Sequence, residues 1–280
     1  MNAVTKEKIE EHLNLVMSRI IEKRTITEPF DKNEIEKTNP FGFRLVPIEV
    51  WKGSKFERSF VTSLGQGIFE QIAKIIATGT GAEAKNQFIK EIKLNTWQVE
   101  QIDNILQKQR TLKSSKNIIK VKTIKEELNL LKSLEIDRYQ NISVLFDLYI
   151  RRPDGTDEYY SFKTVKPNLD QTEKAKKEIL RLMTAENAEA FFALPYNPAG
   201  EGECYKNIHS IPYKLFDMDN DKNVLIGKEL WNKIGQDSNT YDELLNIFDT
   251  VGKHCIKKIS KDYFGLNKID VLEIPKKTIQ

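Results

Sequence analysis

The feature that most constrains this chain is a β-rich run that is followed by a tight turn and a second β-rich run. The first run, residues 142–150, is rich in β-branched and aromatic side chains, and the second covers residues 158–165. Between them, Pro153-Asp154-Gly155 has the residue types of a turn. The sequence therefore predicts a β-hairpin.

The hairpin leads into a helix and a third strand. Pro167-Asn168 ends the second run, residues 170–183 have a helical pattern, and residues 190–196 look like a buried strand. The order strand, strand, helix, strand is typical of a mixed α/β core. We therefore expect the α/β class: a mixed β-sheet flanked by helices, with N- and C-terminal helical additions.

Outside this core the sequence indicates mainly helices. Residues 25–62 contain Pro29, Pro40, Gly42 and Pro47 and are expected to be loop-like. We expect an N-terminal helix and loop region at 1–60, a core with C-terminal helices at 61–260 and a tail at 261–280. The expected helices cover residues 5–24, 68–77, a region from 82 to about 110, and residues 123–134, 227–235 and 240–259, with an exposed connection at 111–118.

Composition excludes several classes of protein. Of the 280 residues 39% are hydrophobic and 30% charged, which supports a packed core and argues against wholesale disorder. The 44 basic and 41 acidic residues leave a net charge of only +3, unlike an unstructured polybasic binder. Cys204 and Cys255 match no zinc spacing. Without a signal-peptide pattern or a long apolar stretch, we expect a soluble cytoplasmic protein.

The hairpin register brings an acid and a lysine together. If Ile150 pairs with Glu158, Asp147 lies opposite Ser161, and Lys163 lies two residues further along. The same alternation puts Tyr159 on the face of Asp147, Ser161 and Lys163, and assigns the opposite, apolar face to Phe146, Leu148, Tyr160 and Phe162.

Such a pair suits phosphodiester hydrolysis. A carboxylate holds a hard cation that stabilises charge on the phosphate, and a nearby lysine orients or deprotonates the attacking water. The alternative is a cross-strand ion pair on a solvated sheet face. The lysine-rich helix that follows adds Gln171, Lys174 and Glu178 on one face, and its N-terminus favours phosphate, although a solvated face is the common role of such a helix.

Several segments together resemble the TdeIII-type family of type II restriction endonucleases, in the PD-(D/E)XK nuclease superfamily. The resemblance runs from about residue 60 to 260, and its most specific block is Lys163-Thr-Val-Lys166-Pro167-Asn168 followed by Gln171. It implies a restriction-endonuclease-like core, Mg²⁺-dependent cleavage of double-stranded DNA at a short palindromic site of the GGNCC kind, and a cognate DNA methyltransferase. The remaining similar segments are 63–77, 146–150, 194–198 and 224–231.

The resemblance also implies roles for single residues. Asp147 is expected to bind Mg²⁺ and Lys163 to act on the attacking water. Ser161 stands where the class pattern has a second acid, so an acid from another part of the chain is needed. Glu70 is favoured for this role over Glu173 and Glu178. We expect phosphate contacts from Lys166, Gln171 and Lys174, a further DNA contact from Asn168, and base contacts from Tyr196 and Asn197. Asparagine is equally common as a structural residue in loops.

Because a palindromic site is two-fold symmetric, we expect a homodimer. Two other functions are open from the sequence. The chain could be a repair or recombination nuclease with the same core. It could also be a non-catalytic DNA-binding protein whose site has decayed, as Ser161 would permit.

Overall fold

A computed structural model describes residues 1–65, 67–111 and 121–266. The chain divides into two compact units. One unit contains residues 73–241 together with Met1, and the other contains residues 2–72 together with residue 242 onward. The expected connection at 111–118 and the expected tail at 261–280 lie largely outside the described residues.

The unit of residues 73–241 is built on a mixed sheet. In the described part of the chain, five strands pair in sequence order, antiparallel from β1 to β3 and parallel from β3 to β5. The expected α/β class with a mixed, helix-flanked sheet is therefore confirmed. The strands are β1 (Glu83–Asn95), β2 (Tyr139–Arg151), β3 (Asp157–Phe162), β4 (Glu189–Leu194) and β5 (Val224–Ile226).

Helices flank this sheet and make up most of the second unit. Short π-helical turns cover Lys23–Thr27 and Ile259–Tyr263, and short 3-10 turns cover Tyr205–Asn207 and Ile211–Lys214. The α-helices are α1 (Ala3–Glu22), α2 (Lys32–Thr38), α3 (Pro40–Leu45), α4 (Ile48–Leu64), α5 (Ile68–Gly79), α6 (Thr96–Thr111), α7 (Ile124–Lys132), α8 (Leu169–Ala185), α9 (Lys228–Gly235) and α10 (Thr240–Lys258). None of the helices in the described ranges is long and apolar enough to span a membrane.

The main core lies where α6, α7 and α8 pack against one face of the sheet. Its buried cluster includes Ile102, Leu128 and Ile179 from the three helices and Phe192 from β4. Phe192 stacks on Phe216 with ring centroids 4.6 Å apart. On the opposite face, the rings of β3 and β4 approach α9, where Phe162 and Trp231 lie 6.4 Å apart. Burial on both faces fits the continuous apolar run 190–194 of β4.

The expected loop at 25–62 was wrong, because this stretch folds into α2, α3 and α4. Pro40 occupies the first turn of α3, and Pro47 directly precedes α4. Proline lacks a backbone N–H, and the first turn of a helix has no partner for that group. The prolines therefore begin helices here instead of interrupting them.

The expected helix at residues 82–95 was also wrong, because this segment is β1. Phe88 and Ile92 are four residues apart, a spacing that fits a helix and a strand equally well. Ile89, which the helical pattern placed among the buried positions, is 63% exposed. Pairing with β2, which lies more than forty residues later in the chain, decides in favour of the strand. The short strand β5 was not predicted either.

Candidate active site

The hairpin register agrees with the sequence prediction. Ile150 lies opposite Glu158 and Leu148 lies opposite Tyr160. Extending this register by one residue puts Asp147 opposite Ser161, where the ladder between the two strands ends. The predicted acid and lysine therefore stand at the end of the hairpin, where β3 gives way to the segment that leads into α8.

Asp147 and Lys163 are in direct contact. Lys163 Nζ lies 3.0 Å from Asp147 Oδ2 and also donates to the Phe162 carbonyl at 2.8 Å. The backbone N–H of Lys163 donates to the Ala193 carbonyl, which ties the start of the connecting segment to β4. The lysine and aspartate side chains are 16% and 22% exposed, so the pair is sheltered but open to solvent.

The expected division of side chains between the two sheet faces was partly wrong. Phe146 was assigned to the face of Tyr160, yet it packs edge-on against Tyr159 with centroids 5.2 Å apart, in the same buried cluster. The alternation changes at Asp147, opposite Gln87, and neither residue forms a ladder pair. Gln87 has a backbone φ of +50°, which departs from the pleat. Simple alternation therefore does not continue across this point.

Gln87 also contributes to the site directly. Its side-chain amide Nε2 donates to Asp147 Oδ1 at 3.3 Å, while Lys163 holds the other carboxylate oxygen. Both oxygens of Asp147 are thus oriented, one by β1 and the other by the segment that follows β3. Nothing local in the sequence marks Gln87 as a site residue, and it was not predicted. Only the pairing of β1 with β2 brings it to the aspartate.

Ser161, in the position of the missing acid, is 4% exposed and lies beside Phe192 of β4. Among the described residues, no group of three or more acidic, histidine or cysteine side chains is arranged to hold a metal ion. Magnesium is often held by only one or two carboxylates, with water and substrate phosphate as the remaining ligands. The oxygen donors of Asp147 suit such a site, and one further acid would complete it.

The three candidate glutamates have different surroundings. Glu173 is engaged by Arg110, which also pairs with Asp170. Glu70 lies in the first turn of α5, in the unit of residues 2–72, whereas Asp147 belongs to the unit of residues 73–241. The structure therefore does not bring Glu70 and Asp147 together within one unit.

Glu178 is the candidate next to β2. Burial raises the pKa of its carboxyl, and the charge of Arg181 and the backbone of Leu145 oppose that rise. Its Oε2 is buried and has no hydrogen-bond partner among the described residues. Leu145 precedes Asp147 by two residues. This carboxylate, predicted to share a face with Gln171 and Lys174, is largely buried, whereas those two side chains are exposed.

Comparisons with known proteins identify the family of this chain. A family model described as "Type II restriction endonuclease, HinfI" matches residues 5–252. The chain belongs to the HinfI family of type II restriction endonucleases. Enzymes of this kind act on double-stranded DNA and generally use divalent metal ions. The predicted enzyme class, a site-specific deoxyribonuclease, is confirmed, and the repair and non-catalytic alternatives are not favoured.

Individual relatives cover most of the chain. The type II restriction enzyme HgiCII of Herpetosiphon aurantiacus is 29% identical over 93% of this chain and 98% of its own length. HgiBI of the same organism is 29% identical over 90% of this chain and 94% of its own length. MjaII of Methanocaldococcus jannaschii is 25% identical over 73% of this chain and 56% of its own length. The narrower TdeIII-type resemblance and the PD-(D/E)XK assignment stay predictions.

The HinfI-family chain presents its predicted phosphate-binding side chains around the start of α8. Lys166 and Lys174 are exposed. Asn168 and Gln171 are exposed as well, and they cap α8: the Gln171 N–H donates to Asn168 Oδ1 at 2.8 Å, and the Asn168 N–H donates to Gln171 Oε1 at 3.1 Å. Both residues therefore have a structural task that leaves their side chains at the surface.

The predicted base-contacting residues lie in the loop after β4. Tyr196 is 44% exposed. Asn197 is used within the loop, where its Oδ1 accepts from the Ala199 N–H at 3.0 Å and its Nδ2 donates to the Glu203 carbonyl at 2.7 Å. Asn197 therefore has the structural role in the loop that the sequence had left as an alternative to a base contact.

Two residues that the sequence did not single out for the site hold the segment between Lys163 and α8. Tyr205 donates its hydroxyl to the Val165 carbonyl at 2.7 Å, and His209 Nε2 donates to the Pro167 carbonyl at 2.8 Å. Residues of the loop that follows β4 therefore hold the segment between Lys163 and α8 in place. No local pattern could reveal contacts between residues about forty positions apart.

Proposed function

We propose that this HinfI-family enzyme hydrolyses phosphodiester bonds of double-stranded DNA, with Mg²⁺, at a short palindromic site. The observation that carries this proposal is the contact between Asp147 and Lys163 at 3.0 Å, at the end of a hairpin and six residues before the start of α8. The site sequence of the GGNCC kind and a cognate methyltransferase are carried over from the family resemblance. Methylated host DNA should accordingly resist cutting.

Each side chain has a task in this proposal. Asp147 holds Mg²⁺, which would supply positive charge to the scissile phosphate. Lys163 Nζ lies beside the same carboxylate, where it orients or deprotonates the attacking water and offsets negative charge. Ser161 occupies the position of the second acid without supplying charge. Contacts to DNA come from Lys166, Asn168, Gln171 and Lys174 at phosphates and from Tyr196 and Asn197 at bases.

A second acid is required because Ser161 carries no charge. We retain Glu70 as this acid, on the basis of the family resemblance of its helix. A specific observation favours Glu178 as the alternative, since its buried carboxylate has an unpartnered oxygen beside Leu145, two residues before Asp147. A cation brought to that position would offset the cost of burying this charge.

The proposal is tested by incubating the purified protein with plasmid DNA and Mg²⁺ and sequencing the ends of any fragments. We expect discrete fragments that share one short site. Lys163→Ala should lower the rate by at least about 100-fold while DNA binding persists, because a proton-transfer group is lost. Lys177→Ala is the matched control, since Lys177 lies on α8 and forms a surface ion pair with Asp103 of α6. Full cutting by Lys163→Ala would refute the role of the lysine.

The second acid is identified by comparing Glu70→Gln, Glu178→Gln and Glu173→Gln over a range of Mg²⁺ concentrations. Loss of a metal ligand should raise the Mg²⁺ concentration that gives half-maximal rate. Glu173→Gln is the control and should leave that concentration unchanged, because its carboxylate is engaged by Arg110. If neither of the other two variants shifts it, both glutamates are excluded as ligands.

A further inference from the structure

A cavity lies between α1 and α4, within the unit of residues 2–72. Its volume is about 420 Å³. The apolar side chains at its base include Ile20 and Ile68, both of which are buried. Its polar lining consists of three basic and three hydroxyl side chains: Arg19, Lys23, Arg58, Ser59, Thr62 and Ser63.

Helical spacing brings these groups together. Arg19 of α1 lies four residues before Lys23, which begins the π-helical turn that continues this helix, and Arg58 and Thr62 are four residues apart on α4. Each pair therefore lies on one side of its helix. No acidic side chain is among the described residues that line the cavity. The cavity therefore combines concentrated positive charge with three hydroxyl groups, of which that of Ser59 donates to the Lys55 carbonyl at 3.3 Å.

The two arginines of the cavity, Arg19 and Arg58, form no ion pair with the described residues, unlike most arginines of the chain. Of the nine arginines in the chain, six pair with a carboxylate; Arg19, Arg58 and Arg138 form no ion pair with any residue that the structure describes. Two of these three line the same cavity. Lys23 is 3.5 Å from Glu28, and both of these side chains are more than half exposed, so that pair offsets little of the charge.

The pKa of a neighbouring histidine is consistent with this charge. Burial lowers the pKa of His12, and the positive charge of Arg19 lowers it further. Arginine matches the geometry of phosphate oxygens with a planar fork of donors, and serine and threonine hydroxyls complement it. A phosphate group is therefore the ligand chemistry that suits the cavity.

We propose that this cavity binds a phosphate group, supplied by the backbone of a DNA duplex. This source rests on the proposed function. A free phosphate-bearing molecule presents the same chemistry. Phosphate contacts position a protein on DNA without reading bases, so the site would contribute to affinity and to salt dependence more than to sequence choice.

The DNA arm measures duplex binding by the wild-type chain and by Arg19→Gln/Arg58→Gln over a range of KCl concentrations, with EDTA so that nothing is cut. We expect binding about tenfold weaker in the double variant. The slope of log affinity against log salt should fall by about 0.9 for each lost phosphate contact. Arg138→Gln is the matched control, because Arg138 is also an exposed arginine without an ion pair but does not line the cavity.

Arg19→Lys/Arg58→Lys keeps both charges and should retain most of the salt slope. Thermal unfolding checks that every variant is folded. A double Gln variant that behaves like Arg138→Gln in DNA binding would exclude the DNA backbone as the source.

The second arm titrates the wild-type chain with inorganic phosphate and follows the arginine Nε–H signals by NMR. Saturable shifts that are lost in Arg19→Gln/Arg58→Gln support a phosphate site whatever its source. Such shifts with unchanged DNA binding would assign the cavity to a free phosphate-bearing molecule. Absence of both effects would overturn the proposal. A chain that binds phosphate here but no duplex would refute the proposed DNA function and leave this site standing.

Discussion

Gln87 shows how one residue orients the aspartate of the candidate site. Its backbone φ of +50° is a conformation that costs free energy for any residue other than glycine. It lies opposite Asp147, where the side chains of β2 change faces, and its amide donates to that carboxylate at 3.3 Å. The distortion and the contact coincide, so the aspartate is held at an irregular point in an otherwise regular ladder.

Lys176 is a second residue whose role depends on its surroundings. The sequence places it in a lysine-rich helix, yet its side chain is completely buried. Its Nζ donates to Glu127 Oε1 at 2.8 Å, to Gln109 Oε1 at 3.0 Å and to the Leu215 carbonyl. Burial lowers the pKa of Lys176 and raises that of Glu127, so each charge depends on the other.

Lys176→Met should therefore destabilise the fold strongly, because it leaves the buried carboxylate of Glu127 without its cation. We expect a loss of about 3–5 kcal/mol in the free energy of unfolding, measured by urea denaturation. Lys177→Met is the control; its partner Asp103 is half exposed, so the loss should stay below about 1 kcal/mol. Equal losses in the two variants would contradict the importance of the buried pair.

At the scale of elements, α8 connects the catalytic candidate to the core. Its N-terminus follows the segment that Tyr205 and His209 hold, and its apolar face buries Ile179 and Leu180 against the sheet. Asn168 caps the helix at the surface where phosphate contacts are predicted. The cap and the proposed DNA contact therefore share one side chain.

Asn168→Asp separates these two tasks. Aspartate caps as well as asparagine and suits the helix dipole, so the free energy of unfolding should change by less than about 0.5 kcal/mol. The added negative charge should weaken DNA binding if phosphate lies at this position. Asn168→Ala removes the cap and should cost about 1 kcal/mol. Unchanged duplex affinity of the aspartate variant, measured by fluorescence anisotropy, would remove Asn168 from the DNA contacts.

Elements with local signals were predictable. Thr123 is the N-cap of helix α7, and its side chain and that of Glu126 form a reciprocal cap. The boundaries of α7 nearly match the expectation of 123–134. The helices α8, α9 and α10 were likewise confirmed. In contrast, β1 was not predicted, because an isolated strand has no internal hydrogen bonds and its partner lies far along the chain.

For the whole molecule, a palindromic target requires two equivalent active sites, and we expect a homodimer. Mixing an excess of Lys163→Ala with the wild-type chain under conditions that exchange subunits tests this expectation. Mixed dimers have one competent centre each, so supercoiled plasmid should accumulate as nicked circles. Gel electrophoresis distinguishes nicked from linear product. If activity merely falls in proportion to the wild-type fraction, with no nicked product, each chain acts alone.

The sequence by itself determined the hairpin, its register and the pairing of Asp147 with Lys163. Turn chemistry, strand alternation and helix caps act between residues that are close in the chain, so they can be seen without a fold. Only the tertiary structure decided that Gln87 orients the aspartate, that Glu178 lies beside β2, that Lys176 is buried and that Arg19 and Arg58 share a cavity. These features join residues separated by up to 67 positions, and their energies depend on burial and charge that exist only after the chain has packed.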